Sequence, residues 1–182
     1  MASSTKQTTT HHLKALYATY RGTADIDAKG AFFSPECIQI CRPQPAYAAT
    51  NRQTIVRYLH EAASTGKNLA TGGQIKTDRE IKKGATIRPL TDDEFEFATD
   101  DVTAPAGFTS SALKRKAELE DWVGMRVDMW DGDDGTGSTS GGLLVKVQYW
   151  WRKEGEEWVQ ILHDIMHMGP LEGTEGSEGE LL

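Results

Sequence analysis

Alternation of apolar and polar residues is clearest in the last third of the chain. Three segments, Trp122 to Trp130, Leu143 to Arg152 and Trp158 to Met168, place apolar side chains at every second position. This period of two is typical of β-strands that bury one face. A loop over residues 131–142 and a tight turn over residues 153–157 separate the segments, so the pattern predicts an antiparallel meander.

Helical spacing predicts three helices and one strand in the first third. Apolar residues from His12 to Tyr20 recur at intervals of three and four, which indicates the first helix. A short second helix is predicted over Ile26 to Phe33 with Asp25 as its N-cap, and a third begins after a second N-cap, Asn51. Between these two helices, Cys37 to Cys41 alternates before a proline and predicts a strand.

The middle of the chain, about residues 64–121, is predicted to be an insertion. It contains two candidate short strands, Thr86 to Leu90 and Glu94 to Phe97, and a helix over residues 111–122. The basic run Lys114 to Lys116 on this helix is followed by acidic residues at a spacing of four. That spacing favours a solvated helix face with ion pairs over a nucleic-acid-binding patch.

Composition favours one globular domain with polar ends. Of 182 residues, 38% are hydrophobic and 26% charged, which is enough apolar material for one core. Residues 1–9 lack apolar periodicity and are expected to be disordered, and residues 172–182 form an acidic Gly/Glu tail that is expected to be mobile. The domain is therefore predicted to cover residues 10–171.

Net charge and hydropathy limit which partners and which cellular location are expected. The net charge of −7 does not fit a general polyanion binder, so no nucleic-acid partner is expected. No apolar run approaches the ~20 residues that span a bilayer, and the first residues lack the apolar core of a secretory signal. We therefore expect a cytoplasmic protein with no membrane partner. Cys37 and Cys41 would lie roughly 13 Å apart on a strand, too far to bridge, and are expected to be reduced thiols.

This order of elements resembles a known superfamily. The resemblance is carried by HHLKALYATYRG, ADIDAKGAFFSPECIQICRP, NRQTIVRYLHEAA and VKVQYWWRKEGEEWVQILHDIMHMGP, about two-thirds of the chain. They resemble the nuclear transport factor 2-like, or SnoaL-like, superfamily, and in detail its fungal-type members of unassigned function. The resemblance implies an α+β fold in which a cone-shaped, curved antiparallel sheet wraps around N-terminal helices. Ketosteroid isomerases, polyketide cyclases, dehydratases, epoxide hydrolases and members without chemistry share this fold, so the fold alone does not settle the function.

The resemblance also suggests site residues. In ketosteroid-isomerase-like members a general-base Asp precedes a Pro at the end of the first strand. The residue that matches this Asp here is Arg42. Because a guanidinium cannot accept a proton at neutral pH, Arg42 argues against that isomerase mechanism. Tyr17 or Tyr20 matches a hydrogen-bonding tyrosine of the first helix, with a core aromatic as the simpler interpretation. Asp25 lies near an Asp that scytalone-dehydratase-like members use, with the role of helix N-cap as its alternative.

Two histidines interrupt the apolar row of the last strand. By alternation Val159, Ile161, His163, Ile165 and His167 share one face. An imidazole at His163 would be buried and neutral there, which suits a general base, or it would be a structural histidine bonded to backbone or tyrosine. The run HDIMH does not predict a metal site, since on a strand the two imidazoles lie roughly 13 Å apart.

Two functional hypotheses are open at this point. The first is a cofactor-independent isomerase, cyclase or dehydratase that acts on a small apolar, polyketide- or terpenoid-like molecule; the second is a non-catalytic ligand-binding or dimerisation module. The predicted catalytic residues are His163, Asp25 and Tyr17. The predicted ligand-binding residues are Arg42, Tyr58, Val127, Tyr149 and His167, with no metal and no cofactor.

A homodimer is also expected. Trp122, Trp130 and Trp150 share the sheet face opposite the apolar row, and so much exposed aromatic surface predicts burial against a second copy. The alternative is that the insertion over residues 64–121 folds back and covers them within one chain.

Overall fold

The computed structural model describes residues 2–64, 83–132 and 142–182. Within these ranges there are five α-helices and six strands. The helices are α1 (Ala2–Gly22), α2 (Ile26–Lys29), α3 (Arg52–Ser64), α4 (Asp100–Thr103) and α5 (Ser110–Leu119). The strands are β1 (Phe33–Cys41), β2 (Lys83–Pro89), β3 (Val123–Asp131), β4 (Leu143–Glu154), β5 (Glu157–Pro170) and β6 (Glu180–Leu181).

One curved, unclosed sheet carries the fold, and among the described residues its strand order is β1-β5-β4-β3-β2-β6. Strands β3, β4 and β5 form the predicted antiparallel meander, and β2 and β6 extend it with antiparallel pairs. Strand β1 pairs with β5 in parallel. The predicted class, an α+β fold with N-terminal helices on a curved sheet, is confirmed.

Helices α1 and α3 pack on the concave inner face. The alternation of β3 and β4 is the cause, since every second residue of each strand joins one apolar cluster with Leu13 and Ile55 of the helices. The sheet residues of this inner cluster are Phe33, Cys37, Ala85, Ile87, Met125, Val127, Met129, Val145, Val147, Tyr149 and Trp151.

The outer face of the sheet is covered by the chain itself. Trp150 is fully buried, and the rings of Phe95 and Phe97 lie 5.1 and 4.9 Å from it. Trp122 is also buried in this outer cluster. The expectation that Trp122 and Trp150 are exposed is therefore corrected, because side chains between residues 90 and 117 pack on them, as in the intrachain alternative. The homodimer itself stays a prediction.

Trp130, the third of these tryptophans, is covered in a different way. A Cβ built on Gly84 of β2 would lie 2.2 Å from the Trp130 ring, so the ring lies directly over this glycine. A Cβ built on Gly176, in the segment after β5, would lie 3.4 Å from the same ring. The first part of the predicted insertion, residues 65–82, and most of the predicted loop over residues 131–142 lie outside the described residues.

Three local expectations differ from the structure. Helix α1 begins at Ala2 rather than near His12, so the segment expected to be disordered continues the helix. The second helix is shorter than predicted, since a 3-10 turn over Gly30–Phe32 follows α2 and Phe33 already belongs to β1. No strand forms over residues 94–97, because Glu94 ends a 3-10 turn.

The segment after β5, which is expected to be mobile, lies against the sheet in the structure. Near its end Glu180 and Leu181 form β6 and lie opposite Ile87 and Thr86 of β2. Glu172 reaches Lys146 of β4 at 2.6 Å. Residues 172–182 therefore run across the outer face from β5 to the edge of the sheet; we call them the strap.

Two β-bulges interrupt the alternation of β5. Trp150 lies opposite Leu162 and Trp151 opposite Gln160, so Ile161 is an extra residue. Lys146 lies opposite His167 and Val147 opposite Ile165, so Met166 is extra as well. Each extra residue shifts the later side chains of the strand to the opposite face from the one that strict alternation assigns them.

Candidate functional site

Three of the predicted site residues meet inside the cone. The ring centroids of Tyr17 and Tyr149 lie 5.0 Å apart, and Tyr149 lies 5.0 Å from His163, its partner in the β4–β5 register. Phe33 of β1 approaches the same imidazole at 4.9 Å, and Tyr20 of α1 contacts both tyrosines. All five side chains are buried. We call these five residues and Gln160 the tyrosine–histidine cluster.

Gln160 supplies the hydrogen-bond partner of the histidine. Nε2 of His163 lies 2.6 Å from Oε1 of Gln160, which makes the ring nitrogen the donor and the amide oxygen the acceptor. The bulge at Ile161 makes this pair possible, because strict alternation places the two side chains on opposite faces. Nε2 of Gln160 and Nε1 of Trp151 are buried on the same inner face without a described partner.

Burial sets the protonation states in the cluster. It lowers the pKa of His163 to about 3, so the imidazole is neutral at physiological pH. Burial raises the pKa of Tyr17, Tyr20 and Tyr149. The hydroxyl of Tyr17 donates to the sulfur of Met129 at 3.5 Å. The cluster therefore holds four neutral groups that can donate or accept hydrogen bonds in an apolar surrounding.

The structure places the other predicted residues elsewhere. Asp25 is exposed and caps α2, where its carboxylate accepts from the backbone N–H groups of Asp27 and Ala28. Tyr58 donates to the carbonyl oxygen of Ala48 at 3.1 Å, and Val127 is an inner core residue. The N-cap predictions for Asp25 and Asn51 are confirmed.

Arg42 and His167 lie on the outer face. The Arg42 guanidinium binds the buried carboxylate of Asp164 with two hydrogen bonds, of 3.0 and 2.7 Å. Burial raises the pKa of Asp164, and the guanidinium opposes that rise. The bulge at Met166 turns His167 towards Lys146 and Glu172, so the prediction that it shares a face with His163 is wrong.

The side chains inside the cone are buried in one apolar cluster. In the described part of the chain the two clearest cavities lie at the surface, and neither is lined by Tyr17, Tyr149 or His163. The predicted site residues inside the cone therefore line neither of these two cavities.

One of the two cavities is a groove of about 310 Å³ beside the cluster, between α1, the 3-10 turn after α2 and the start of β5. Its apolar walls include Leu16, Phe32 and Trp158, which pack directly on the inner core. His12, Glu156 and Glu157 lie at the groove as well. The second cavity, about 520 Å³, is an open depression lined by Arg88, Glu94 and the strap.

Sequence reasoning missed Gln160 and the groove. The sequence of β5 does not show the bulge at Ile161, and strict alternation would place Gln160 on the face opposite His163. Leu16, Phe32 and Trp158 come from three distant segments, and their apolar character was the only signal. Among the residues that the structure describes, no group of three or more His, Cys, Asp or Glu side chains is placed to hold a metal ion. No described helix is both long and apolar enough to cross a membrane.

A model of the SnoaL-like domain matches residues 2–182, and the chain belongs to this family. No curated protein matches the sequence.

Solved structures with similar folds are distant in sequence. One is a protein of unknown function with a cystatin-like fold from Nostoc punctiforme, with 12% identity, 87% of this chain and 89% of that chain covered, and a TM-score of 0.48. A second is a putative calcium/calmodulin dependent protein kinase II association domain from Xanthomonas campestris, with 12% identity, 88% and 86% coverage and a TM-score of 0.44. A third is a ketosteroid isomerase-like protein from Erwinia carotovora atroseptica, with 13% identity, 84% and 88% coverage and a TM-score of 0.43.

Proposed function

We propose that this SnoaL-like domain binds a small apolar molecule in the groove beside the tyrosine–histidine cluster. The observation that carries the proposal is the groove itself. Its volume of about 310 Å³ is at the lower end of the range for small-molecule sites, and Leu16, Phe32 and Trp158 give it apolar walls. The same three side chains pack on the inner core. They would therefore separate a ligand in the groove from the tyrosine–histidine cluster.

The chemistry of His163 favours binding over catalysis. A general base works best when its pKa lies near the operating pH, and burial holds the pKa of this imidazole at about 3. Only 4% of the residue is exposed, and its Nε2 is engaged by Gln160. A ligand in the groove therefore does not meet this base in the conformation described.

A cofactor-independent isomerase, cyclase or dehydratase with a polyketide- or terpenoid-like substrate is the second candidate. It is favoured by the meeting of three tyrosine hydroxyls and one neutral imidazole in an apolar interior, which could orient and polarise a carbonyl or hydroxyl group. This function requires Phe32 and Leu16 to move and open the way from the groove to His163.

A matched pair of variants tests the binding proposal. Ala31 is exposed and lines the groove, whereas Ala15 is exposed on α1 and does not line it. Small apolar molecules that raise the melting temperature of the wild type should fail to do so with Ala31→Trp, which fills the groove, and should still do so with Ala15→Trp. An equal response of both variants would place the ligand elsewhere and contradict the proposal.

Mass spectrometry of the bound molecule separates the two candidates. Recovery of the unchanged molecule after prolonged incubation supports a binding module. Conversion by the wild type that is lost in His163→Phe, while the melting temperature shift persists, supports the enzyme instead.

A further inference from the structure

The strap completes the edge of the sheet with very few contacts. Strand β2 would be the last strand of the sheet without β6, and only Thr86 and Ile87 of its seven residues lie opposite β6. One further backbone bond joins the two segments, from the N–H of Leu182 to the carbonyl oxygen of Ala85 at 3.0 Å. Within the described residues, most of this edge of β2 therefore has no strand partner.

Carboxylates of the strap bind cations on three different elements. Glu172 lies 2.6 Å from Lys146 of β4, Glu178 lies 3.2 Å from Arg88 of β2, and Glu180 lies 2.5 Å from Lys14 of α1. The strap carboxylates are 41 to 69% exposed. Exposed ion pairs of this kind are weak and are screened by salt, so the strap is held by releasable contacts.

Arg88 is held in place by residues outside the strap. Its guanidinium donates to both carboxylate oxygens of Glu94 at 2.6 and 2.8 Å, and Thr91 fixes the same carboxylate. The remaining N–H groups of the Arg88 guanidinium therefore point to the edge of β2 in a fixed direction.

Glycines allow the strap to lie close to the sheet. Gly173, Gly176 and Gly179, at every third position, have φ values of 80°, 79° and 90°, which other residues rarely adopt. A Cβ on Gly179 would also lie 3.0 Å from the carbonyl oxygen of Ile87. The spacing brings Glu178 and Glu180 to the cations at the β2 edge.

We propose that the β2 edge, with Arg88 and Lys14 beside it, is a strand-addition surface for an extended acidic peptide, and that the strap occupies this surface in cis. The bound strap shows the required chemistry: an antiparallel backbone pairing, and carboxylates two residues apart that meet two cations. Strand addition of this kind takes its affinity from backbone hydrogen bonds and its specificity from alternate side chains. A second copy of β2 fits less well, because its sequence KGATIRP contains cations and no carboxylate.

The test uses a chain that ends at residue 171 and a labelled peptide with the sequence of residues 172–182. The peptide should bind this shortened chain, and binding should weaken by about tenfold or more between low and high salt because the ion pairs are screened. A peptide with glutamine at every glutamate should bind at least about tenfold more weakly. The intact chain should also bind the acidic peptide at least about tenfold more weakly, since its own strap competes at a high effective concentration.

Two charge variants of the shortened chain provide the matched control. Lys14→Glu removes a cation beside the surface and should weaken peptide binding. Lys153→Glu changes a lysine that pairs with Glu156 at the β4–β5 turn and should leave binding unchanged. Equal binding to the intact and shortened chains, no binding to a folded shortened chain, or self-association of that chain without peptide binding would each overturn the proposal.

A full-length variant covers the case in which the shortened chain does not fold. Glu178→Lys combined with Glu180→Lys should release the strap, which speeds hydrogen exchange at the N–H of Leu182 and lets the acidic peptide bind in trans. Unchanged exchange and no peptide binding in this variant would overturn the proposal.

Discussion

His163 and Gln160 form a buried hydrogen bond of 2.6 Å between residues three positions apart on one strand. Regular alternation separates such residues onto opposite faces, and the bulge at Ile161 removes that separation. The pair brings a ring nitrogen and an amide into an interior otherwise lined by aromatic rings. Its behaviour on substitution and on acidification can be predicted.

Removal of either partner should destabilise the fold through the polar group left behind. We expect His163→Phe and Gln160→Leu each to lower the free energy of unfolding by about 1–3 kcal/mol, because a buried donor or acceptor loses its partner. The double variant should cost less than the sum of the two by about 1 kcal/mol or more. Urea unfolding of the four proteins measures this coupling, and strictly additive losses would mean that the bond contributes nothing.

The free energy of unfolding should fall on acidification because the imidazole of His163 is buried and neutral. The pKa of His163 is about 3 in the folded state, below the ordinary value near 6.5, so the unfolded chain binds more protons between these limits. Stability is therefore complete above about pH 6.5 and falls as the pH drops towards 3, with a slope that approaches about 1.4 kcal/mol per pH unit.

The comparison is made between pH 6.5 and 4.5, above the range in which most carboxylates titrate. His163→Phe should lose most of the slope in this window. His60→Gln, which changes an exposed histidine of α3, should retain it. A wild-type curve that is flat over this interval would show that the imidazole is charged or exposed in the folded protein.

Loss of one partner of the Arg42–Asp164 ion pair should destabilise the fold more than replacement of both partners. Asp164 is fully buried, and Asp164→Ala leaves a half-buried guanidinium without its partner, so we expect a loss of about 3 kcal/mol. Replacement of both residues, Arg42→Met with Asp164→Leu, should recover most of that loss. Lys153→Met breaks an exposed pair and should change the free energy of unfolding by less than about 0.5 kcal/mol. A loss of similar size in this control would contradict the assignment.

Close packing on the outer face predicts the effect of one added methyl group. A Cβ at Gly124 would lie 2.3 Å from Leu90 and 3.0 Å from Trp150. Gly124→Ala should therefore destabilise the protein by about 1–3 kcal/mol, and Leu90→Ala in the same chain should relieve part of the strain. Gly22→Ala, where no atom lies within 4 Å, should be neutral or slightly stabilising. Equal thermal denaturation midpoints for Gly124→Ala and the wild type would show that residues 90–98 do not pack on this face.

Alternation predicted β3 and β4 well because both strands are regular and bury one face against α1 and α3. It placed Tyr149 and Val127 correctly for that reason. The same rule failed in β5, since a bulge depends on the backbone pairing with β4 and not on the residue types of one strand. Gln160 and His167 were therefore assigned to the wrong faces.

The covered tryptophans show a second limit of the sequence. Trp150 was predicted to be exposed because its strand neighbours on that face are polar. The structure shows the alternative, a cover from the insertion that includes Phe95 and Phe97. The strap was missed for a similar reason. Its glycines and glutamates are typical of mobile chain, and only the cations opposite them, on α1, β2 and β4, explain its position.

The parallel pairing of β1 with β5 has a consequence for the order of folding. Arg42 and Asp164, which join the two strands, are 122 residues apart in the chain. During synthesis β1 leaves the ribosome long before β5, its partner strand. The apolar side chains of Ile38 and Ile40 therefore have no partner strand until β5 is made. Contacts of such high sequence separation slow folding and expose nascent strands to aggregation, so we expect β1 to be the last long strand to dock and a segment that chaperones protect.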